Sequence, residues 1–286
     1  MMKIAIIGAN GQLGTDLTEV LSVEHEVLAL SHADIEVTDI DSLNKALCSI
    51  KPDIVLNTAA YHIVPDAERF PDKAFQINGK GALNLARICS DEKIRLVHYS
   101  TDYVFDGEKK TPYTEDDKPN PLNVYANTKL SGEYFALNYC DTSYVIRISG
   151  IYGKIPSRAK GGNFITTMLK LAKEKPEVKV VNDEILTPTS TYRIASNTAE
   201  LIKTDSYNLY HMTSEGQCSW YEFAKVIWDT LGLKTPLIPT SVKEFNAPVK
   251  RPFYSVLENM NLNKIGCNNM KDWKKDLQDF LINKLK

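Results

Sequence analysis

The chain has 286 residues, of which 43% are hydrophobic and 24% charged, and its formal net charge at pH 7 is −2. This balance is typical of a globular protein, and the absence of a basic stripe argues against a nucleic-acid partner. The five cysteines are widely spaced and form no C-x-x-C pair, which argues against disulfides or zinc and favours a reducing cytoplasm. No run approaches the ~18–20 apolar residues of a membrane span, so a membrane protein is not expected.

The first half of the chain alternates short apolar runs with helical patterns. Strands are predicted at residues 3–7, 27–30, 53–57, 96–100 and 144–148, and helices at 13–21, 40–49, 72–91 and 124–139. Strands that alternate with helices indicate βαβ units and a parallel sheet. We therefore expect an α/β fold with a Rossmann-type doubly wound sheet over residues 1–150.

The pattern loosens after about residue 150. Helices are predicted at 163–175, 191–202 and 220–231, and a strand at 178–181, whereas the proline-rich segment 236–252 is expected to be irregular. Long loops of this kind usually carry specificity. We expect residues 151–286 to form mainly a smaller substrate-binding lobe, with the segment from about 178 to 208 returning to the first domain.

Three glycines stand between the first predicted strand and the first predicted helix. Gly8, Gly11 and Gly14 form the pattern G-x-x-G-x-x-G. Glycines in this position let a backbone turn and a helix N-terminus approach a pyrophosphate closely. Because the set follows the first strand, it predicts a dinucleotide site rather than a purely structural turn.

The end of the second strand bears on which dinucleotide is bound. An acidic residue at this tip would hold the adenosine ribose of NAD. Here the strand ends at Leu30 and is followed by Ser31 and His32, with Asp34 and Glu36 only later. The pattern favours NADP(H) and leaves NAD(H) open. Ser31 or His32 could meet a 2′-phosphate, although His32 could equally be a solvated loop residue.

Tyr125 and Lys129 form a Y-x-x-x-K pair at the start of a predicted helix. Residues four apart share a helix face, so the ammonium is expected beside the phenol, where it would lower the phenol pKa. Thr101 stands at the end of the fourth strand, where parallel sheets place their sites. These residues predict an acid-base couple, with the Thr101 hydroxyl holding the reacting oxygen or, alternatively, satisfying a turn.

Several further motifs occur in a characteristic order. They are GANGQLG (8–14), NTAAY (57–61), STDYVFDG (100–107), PLNVYANTKLSGE (121–133), GNF (162–164), CSWYEFA (218–224) and RPFYSVL (251–257). With these motifs the chain resembles the extended short-chain dehydrogenase/reductases and, more narrowly, the dTDP-4-dehydrorhamnose reductase family. The resemblance runs nearly from end to end.

The resemblance implies a reaction and a set of site residues. The family reduces the 4-keto group of a dTDP-6-deoxyhexulose with NAD(P)H to give dTDP-L-rhamnose. Tyr125 would protonate the C4 oxygen, Lys129 would hold the nicotinamide ribose, and Thr101 would orient the keto oxygen. The implied cofactor contacts are Gly8, Gly11, Gln12, Leu13, Gly14, Glu36, Val37, Ala59, Ala60, Tyr61, Tyr125 and Lys129. The implied substrate contacts are Thr101, Asp102, Tyr103, Asn163, Phe164 and Arg251, of which Arg251 suits a phosphate as a fork donor.

Two further features are implied by the resemblance alone. Family members often form homodimers, so a homodimer is expected. Mg²⁺ accompanies some members, but no His, Cys or carboxylate cluster with metal-ligand spacing places it in this chain. No metal ligand is therefore assigned.

The chain departs from the family pattern around the sugar. Gly150 stands where the family has a tryptophan, Glu184 replaces a glutamine and Leu186 replaces a glycine. The loop 154–161 is longer than usual and basic, and the segment 62–66 also differs. Removal of a large aromatic side chain reshapes a pocket. The sequence therefore predicts the reduction chemistry but leaves the identity of the sugar open.

Three alternatives to this reductase remain on sequence grounds. A 4,6-dehydratase would need an acid at position 103, where this chain has Tyr103. An epimerase uses the same tyrosine and lysine but retains its NAD, whereas a reductase consumes NAD(P)H. A binding or regulatory subunit without turnover is the third alternative, which the complete set of Tyr125, Lys129 and Thr101 disfavours.

Overall fold

The computed structural model describes residues 1–157, 159, 161–246 and 248–283. Twelve strands are present in this part of the chain. They are β1 (Lys3–Ile7), β2 (Glu26–Leu30), β3 (Ile54–Asn57), β4 (Arg95–Thr101), β5 (Ser143–Ile148), β6 (Ile151–Tyr152), β7 (Val178–Val181), β8 (Ile185–Leu186), β9 (Thr189–Ser190), β10 (Leu209–His211), β11 (Cys218–Ser219) and β12 (Leu237–Thr240).

Six of these strands form one sheet in the order β10-β5-β4-β3-β1-β2, and every pair is parallel. At its carboxyl edge, Ile7 of β1 is in register with Leu30 of β2 and with Asn57 of β3. The α/β fold with a Rossmann-type doubly wound sheet is thereby confirmed. Since β1 has β2 on one side and β3 on the other, the topological switch lies where the glycine turn begins.

The helices alternate with the strands and cover both faces of the sheet. They are α1 (Gln12–Leu21), α2 (Ile40–Ile50), α3 (Val64–Arg69), α4 (Pro71–Phe75), α5 (Gly81–Asp91), α6 (Val124–Tyr139), α7 (Phe164–Glu174), α8 (Thr191–Leu201), α9 (Trp220–Leu231), α10 (Val242–Phe245), α11 (Met260–Lys264) and α12 (Trp273–Asn283). The helix predicted over 72–91 is divided by a π-helical turn at Gln76–Lys80. None of the helices in the described ranges is long and apolar enough to cross a membrane.

Alternate residues of β1 show why the sheet is covered on both sides. Ile4 and Ile6 point into a core shared with α1 and α8, whereas Ala5 and Ile7 point into a core shared with α2 and α5. All four side chains are buried. A strand buried on both faces reads as a continuous apolar run, as KIAII does.

The second half of the chain contributes to both parts of the molecule. α8 packs on α1, and β10 adds to the edge of the large sheet beside β5. A separate apolar core joins α7, α9 and α12 with β7. Phe223 on α9 is fully buried in that core.

The expectation that residues 236–252 are irregular is wrong for residues 237–245, although the described residues from 246 to 252 form no helix or strand. β12 pairs in parallel with β7, with Pro239 opposite Val180, and α10 follows it. The partner strand lies about sixty residues earlier, so local sequence carries no sign of the pairing. Proline is tolerated because β12 lies at the edge of a two-stranded sheet.

Candidate active site

The candidate site lies at the carboxyl edge of the large sheet. β1 leads into the glycine turn and α1, β4 leads into Thr101, and β5 leads toward Gly150. The N-terminus of α6 reaches the same edge, because Tyr125 contacts Thr101. One edge thus gathers the glycine turn and the predicted acid-base group, as parallel sheets do.

The glycine turn has the geometry of a phosphate cradle. Gly8 has a φ of +78°, and a Cβ there would lie 2.7 Å from the Thr58 hydroxyl. A Cβ on Gly14 would lie 2.7 Å from Ala9 Cα, so the turn closes only with glycine at this position. Gly11 precedes α1 without a side-chain cap. The turn and the helix N-terminus therefore fit a dinucleotide pyrophosphate.

The two side chains that follow Gly11 serve different purposes. Leu13 is 5% exposed and packs in the core, so only its backbone can face a cofactor. The Gln12 amide donates to the carbonyl of Ile151 at 3.1 Å, and its oxygen accepts from Asn163 at 3.3 Å. The predicted substrate residue Asn163 therefore lies beside the glycine turn, where it also caps α7.

An open cavity of about 350 Å³ lies next to the tip of β2. The sequence predicts that the adenosine end of the dinucleotide binds there. The cavity is lined by Ala9, Asn10, Thr15, Thr18, Glu19, Ala29 and Ser31. The Ser31 hydroxyl donates to Asp34 at 2.7 Å, and His32 Nδ1 lies 3.0 Å from Glu36 Oε2. His32 is 85% exposed, whereas the predicted cofactor residue Val37 is buried in the core.

Ala59, Ala60 and Tyr61 follow β3 on the other side of the turn. The Ala59 N–H donates to Asn57, and the Tyr61 N–H donates to Asn78 at 2.8 Å. Asn78 lies in the π-helical turn, and its amide also donates to the Tyr61 carbonyl. This turn, which the sequence did not reveal, fixes the path of the predicted groove residues.

Tyr125 lies one residue after the start of α6. Asn123 caps this helix by accepting from the Ala126 N–H at 2.9 Å, which fixes the first turn. The Thr101 hydroxyl lies next to the Tyr125 phenol, where it opposes the rise in the phenol's pKa. The ring of Tyr103 packs edge-on against it, with ring centroids 6.2 Å apart. The structure therefore brings together the two residues that the sequence placed at the reacting oxygen, Tyr125 and Thr101, and sets beside them Tyr103, which was predicted to contact the sugar.

Lys129 lies one helical turn further along α6 and is 3% exposed. Its ammonium donates to the Tyr99 carbonyl at 2.5 Å. Burial lowers the pKa of Lys129 to about 8, and Glu133 opposes that change. Burial raises the pKa of Tyr125 to about 12, opposed by the hydrogen bond from Thr101. The expected lowering of the phenol pKa by Lys129 is therefore wrong: burial raises this pKa, and Thr101, not Lys129, is the group that opposes the rise.

Asp102 is buried and bonded to its neighbours. Its carboxylate accepts from Thr101 at 3.1 Å and from Ser149 at 2.8 Å, and it is also bonded to Ser255. Burial raises the pKa of Asp102 to about 6, which the three hydroxyls oppose. Its carboxylate therefore orders the loop that carries Thr101. Ser149 and Ser255 carry no motif signal, and sequence analysis missed them.

A second side of the groove is formed by Gly150, Glu184, Leu186 and Arg251, which we call the pocket wall. Glu184 is 7% exposed, and burial raises the pKa of its carboxyl while the Arg251 charge opposes the change. Trp220 is hydrogen-bonded to this carboxyl. The buried Arg251 Nε has no hydrogen-bond partner within the described part of the chain.

Phe164 joins this wall through Trp220. Their ring centroids lie 4.7 Å apart, and Phe164 also stacks on Phe223 at 5.0 Å. Trp220 is only partly buried. The predicted substrate residues Phe164 and Arg251 are therefore linked through Trp220 and Glu184, two side chains that the site prediction left out.

Gly150 and Leu186 are in direct contact across the pocket wall. Gly150 has a φ of +51°, and a Cβ there would lie 2.7 Å from Leu186 Cδ1. Leu186 is 4% exposed. The leucine side chain therefore occupies the space next to the glycine. Of the unusual loop 154–161, residues 158 and 160 lie outside the described residues, and Ser157 lies 2.9 Å from His62 Nε2.

A family model described as the RmlD substrate binding domain matches residues 2–285. The chain belongs to the RmlD family. It is 37% identical over 282 residues to the spore coat polysaccharide biosynthesis protein SpsK of Bacillus subtilis, covering 98% of this chain and 97% of SpsK. The resemblance to dTDP-4-dehydrorhamnose reductases that the motifs predicted is thus confirmed.

Two solved structures of the family superpose closely on this chain. A dTDP-4-dehydrorhamnose reductase of Clostridium acetobutylicum has a TM-score of 0.94 and 38% identity, covering 98% of this chain and 99% of that one. The enzyme of the same name from Bacillus anthracis, in complex with NADP, has a TM-score of 0.94 and 37% identity, covering 99% of each chain.

No group of three or more His, Cys, Asp or Glu side chains that could hold a metal ion occurs among the residues that the structure describes. Mg²⁺ is therefore assigned to no residue of this RmlD family member.

Proposed function

We propose that the chain is an NADPH-dependent reductase of the 4-keto group of a dTDP-activated 6-deoxysugar, with dTDP-4-dehydro-L-rhamnose as the first candidate. The observation that carries this proposal is that the Tyr125 phenol lies next to the Thr101 hydroxyl at the carboxyl edge of the sheet. Family membership supports it, since the two superposed relatives are dTDP-4-dehydrorhamnose reductases.

The residues at this edge can perform the proton half of a carbonyl reduction. Because burial holds the pKa of Tyr125 at about 12, the phenol stays protonated at neutral pH and can donate to the C4 oxygen. Thr101 positions that oxygen, and Lys129 supplies positive charge nearby. The reduced nicotinamide supplies the hydride when bound. One hydride to carbon and one proton from Tyr125 to oxygen give the alcohol, and solvent returns the proton to the phenol.

The glycine turn supports NADP(H) or NAD(H) equally, because both share the pyrophosphate. The tip of β2 favours NADP(H), since it carries Ser31 and His32 where an acidic side chain would select NAD. The NADP complex of the Bacillus anthracis relative supports the same preference. In this proposal Gly8, Gly11 and Gly14 admit the pyrophosphate, and the exposed His32 faces the 2′-phosphate.

A related 4-keto sugar is the second candidate substrate. The contact between Gly150 and Leu186 favours it, because the pocket wall is aliphatic where the family pattern has a tryptophan. Glu184 adds an acidic group to the same wall. In both candidates Arg251 contacts the diphosphate, and the reduction step is unchanged.

The decisive experiment combines a panel of dTDP-4-keto-6-deoxysugars with NADPH and NADH. We expect stoichiometric oxidation of NADPH with one sugar, and a rate reduced roughly 10²- to 10⁴-fold in Tyr125→Phe. Tyr134→Phe is the matched control, because Tyr134 lies on the same helix but is 51% exposed, and it should keep the wild-type rate.

Each contrary result has a distinct meaning. If Tyr125→Phe is as fast as the wild type, Tyr125 is not the proton donor. If an epimerised sugar forms while the cofactor is not consumed, the chain is an epimerase. If the wild type turns over no sugar of the panel with either cofactor, the proposed activity is refuted for this substrate class.

We also propose that the enzyme acts in the cytoplasm and forms a homodimer. The cysteines support the first proposal, because all five are free. Aromatic side chains on neighbouring helices support the second: Phe75 is 44% exposed, Tyr134 51% and Tyr139 42%. A patch of this kind is a typical interface. Sedimentation of the wild type and of Tyr134→Glu tests it, and a monomeric wild type would refute it.

A further inference from the structure

Glu133 continues the helix face that carries the acid-base couple. Tyr125, Lys129 and Glu133 follow one another at intervals of four residues along α6, so they share one face. Glu133 is 1% exposed. A carboxylate so deeply buried needs partners for both oxygens.

Two strands supply those partners. Glu133 Oε1 accepts from the Ser100 hydroxyl at 2.5 Å and from Arg147 Nε at 2.9 Å. Glu133 Oε2 accepts from Arg147 Nη2 at 2.7 Å. Ser100 lies on β4 and Arg147 on β5, next to the strand end that carries Thr101. The carboxylate is thus held in one place by a two-point ion pair and a hydroxyl.

Lys129 needs a counter-charge. Its ammonium is 3% exposed and bonded to the carbonyl of Tyr99. Burial favours the uncharged amine, and Glu133 is the group that opposes this. His98 also faces Lys129 from β4, but burial and the Lys129 charge hold the pKa of His98 well below its usual value, so the imidazole is neutral and supplies no counter-charge. The charged form of the lysine therefore depends on the carboxylate one turn away.

We propose that Glu133, fixed by Arg147 and Ser100, is a positioning residue that keeps the Lys129 ammonium charged, one helical turn from Tyr125. This inference rests on the proposed roles of Tyr125 and Lys129. Glu133 does not touch the substrate in this proposal and acts only through Lys129. If the ion pair between Glu133 and Arg147 only joined α6 to β5, its loss would lower the stability of the fold but would not change the pH dependence of kcat.

The test is the pH profile of kcat in wild type, Glu133→Gln and a control. In the wild type kcat should fall as pH rises through about 8, where Lys129 loses its charge. Without the carboxylate the lysine loses its proton more readily, so the falling limb should move down by about one pH unit or more. With a shift of one unit the variant should be roughly threefold slower than the wild type at about pH 7.5, and the difference should approach tenfold at about pH 9 and vanish in more acidic buffer.

Asp276→Asn is the matched control. Asp276 is 6% exposed on its side chain and pairs with Arg193 at 2.6 Å, between α12 and α8. Its loss should lower the melting temperature and leave the pH limb in place. If kcat of Glu133→Gln falls at the same pH as kcat of the wild type, the positioning role is refuted, whatever the stability of the variant.

A conservative variant covers the case in which Glu133→Gln does not fold. Glu133→Asp keeps the charge but withdraws it by one methylene group, so the limb should move in the same direction by a smaller amount. An unmoved limb in this variant contradicts the inference. Tyr125→Phe distinguishes a failure of this inference from a failure of the proposed function. If Tyr125→Phe is inactive but the falling limb is unmoved in the Glu133 variants, only the role of Glu133 is refuted. If Tyr125→Phe is fully active, the proposed active site is refuted.

Discussion

The two sides of the groove are built from different kinds of structure. Behind Tyr125, the long elements β4, β5 and α6 hold Lys129, Glu133 and Arg147, each no more than 3% exposed. The pocket wall opposite comes from two-residue strands and loops, in which Gly150 and Leu186 contact each other. A regular scaffold fixes the reacting groups, whereas short segments can exchange side chains without moving them.

This difference explains where the chain departs from its family. The departures at Gly150, Glu184 and Leu186 lie in short segments, and the side chains around Tyr125 and Lys129 match the family motif. A change in the wall needs only a local compensation, as when Leu186 fills the space beside Gly150. A change at Glu133 would leave Arg147 buried without its partner.

The side of the groove that is built from long strands and helices is called the scaffold side below. The largest effect is expected on this side, at the glycine turn. In Gly14→Ala the new Cβ would lie 2.7 Å from Ala9 Cα, which is backbone and cannot turn aside. Overpacking of this kind costs about 1–3 kcal/mol, so NADPH should bind roughly 10- to 100-fold more weakly, as fluorescence titration would measure. Gly232→Ala is the control for a loss of stability alone: its Cβ meets nothing within 4 Å, but its φ of +65° strains the backbone at the end of α9, so it should lower stability and leave NADPH affinity unchanged. Equal NADPH affinity in wild type and Gly14→Ala would show that the turn does not hold the cofactor.

The scaffold side was largely predictable from sequence for a physical reason. β1, the glycine turn and α6 have local signals: an apolar run, a glycine spacing and a helical period. The helix predicted at residues 124–139 coincides with α6 (Val124–Tyr139). Tyr125 and Thr101 then met because parallel strands end at one edge of a sheet.

The remaining parts depend on contacts between distant segments. β12 pairs with β7 across about sixty residues, and Glu133 meets Arg147 only because α6 crosses β5. The direction of the Tyr125 pKa was also mispredicted, since helix spacing indicates which groups are neighbours but not how deeply they are buried. Burial is a property of the whole fold, and it is the reason that the pKa of Tyr125 is raised rather than lowered.

An effect that is smaller for each pH unit should appear in the stability of the scaffold side in acid. His211 on β10 is fully buried, and burial together with the Arg147 charge lowers its pKa to about 3. The unfolded chain binds a proton there below about pH 6.5 while the native protein does not, so stability should fall from pH 6.5 toward 3 by up to about 1.4 kcal/mol per pH unit. When the free energy of unfolding in urea is measured across this pH range, it should fall less steeply with falling pH in His211→Gln than in the wild type, by up to about 1.4 kcal/mol per pH unit.

His32→Gln is the control for this measurement, because His32 is 85% exposed and its loss should leave the slope unchanged. Asp102 acts in the opposite direction over the same range, since burial raises its pKa to about 6. Its contribution is common to both proteins and cancels in the difference. An identical slope in wild type and His211→Gln would mean that His211 is protonated in the native state.

The smallest effect is expected in the pocket wall, where compensation is local. Gly150→Ala places a β-carbon at a φ of +51° and 2.7 Å from Leu186 Cδ1, so it combines backbone strain of about 1–2 kcal/mol with a side-chain clash. Leu186→Ala removes the clash but not the strain. The two substitutions should therefore be less than additive, with a coupling of about 0.5 kcal/mol or more in urea unfolding. Strict additivity would mean that Leu186 does not fill the space beside Gly150, and the wall would then have to discriminate sugars by Glu184 and Arg251 instead.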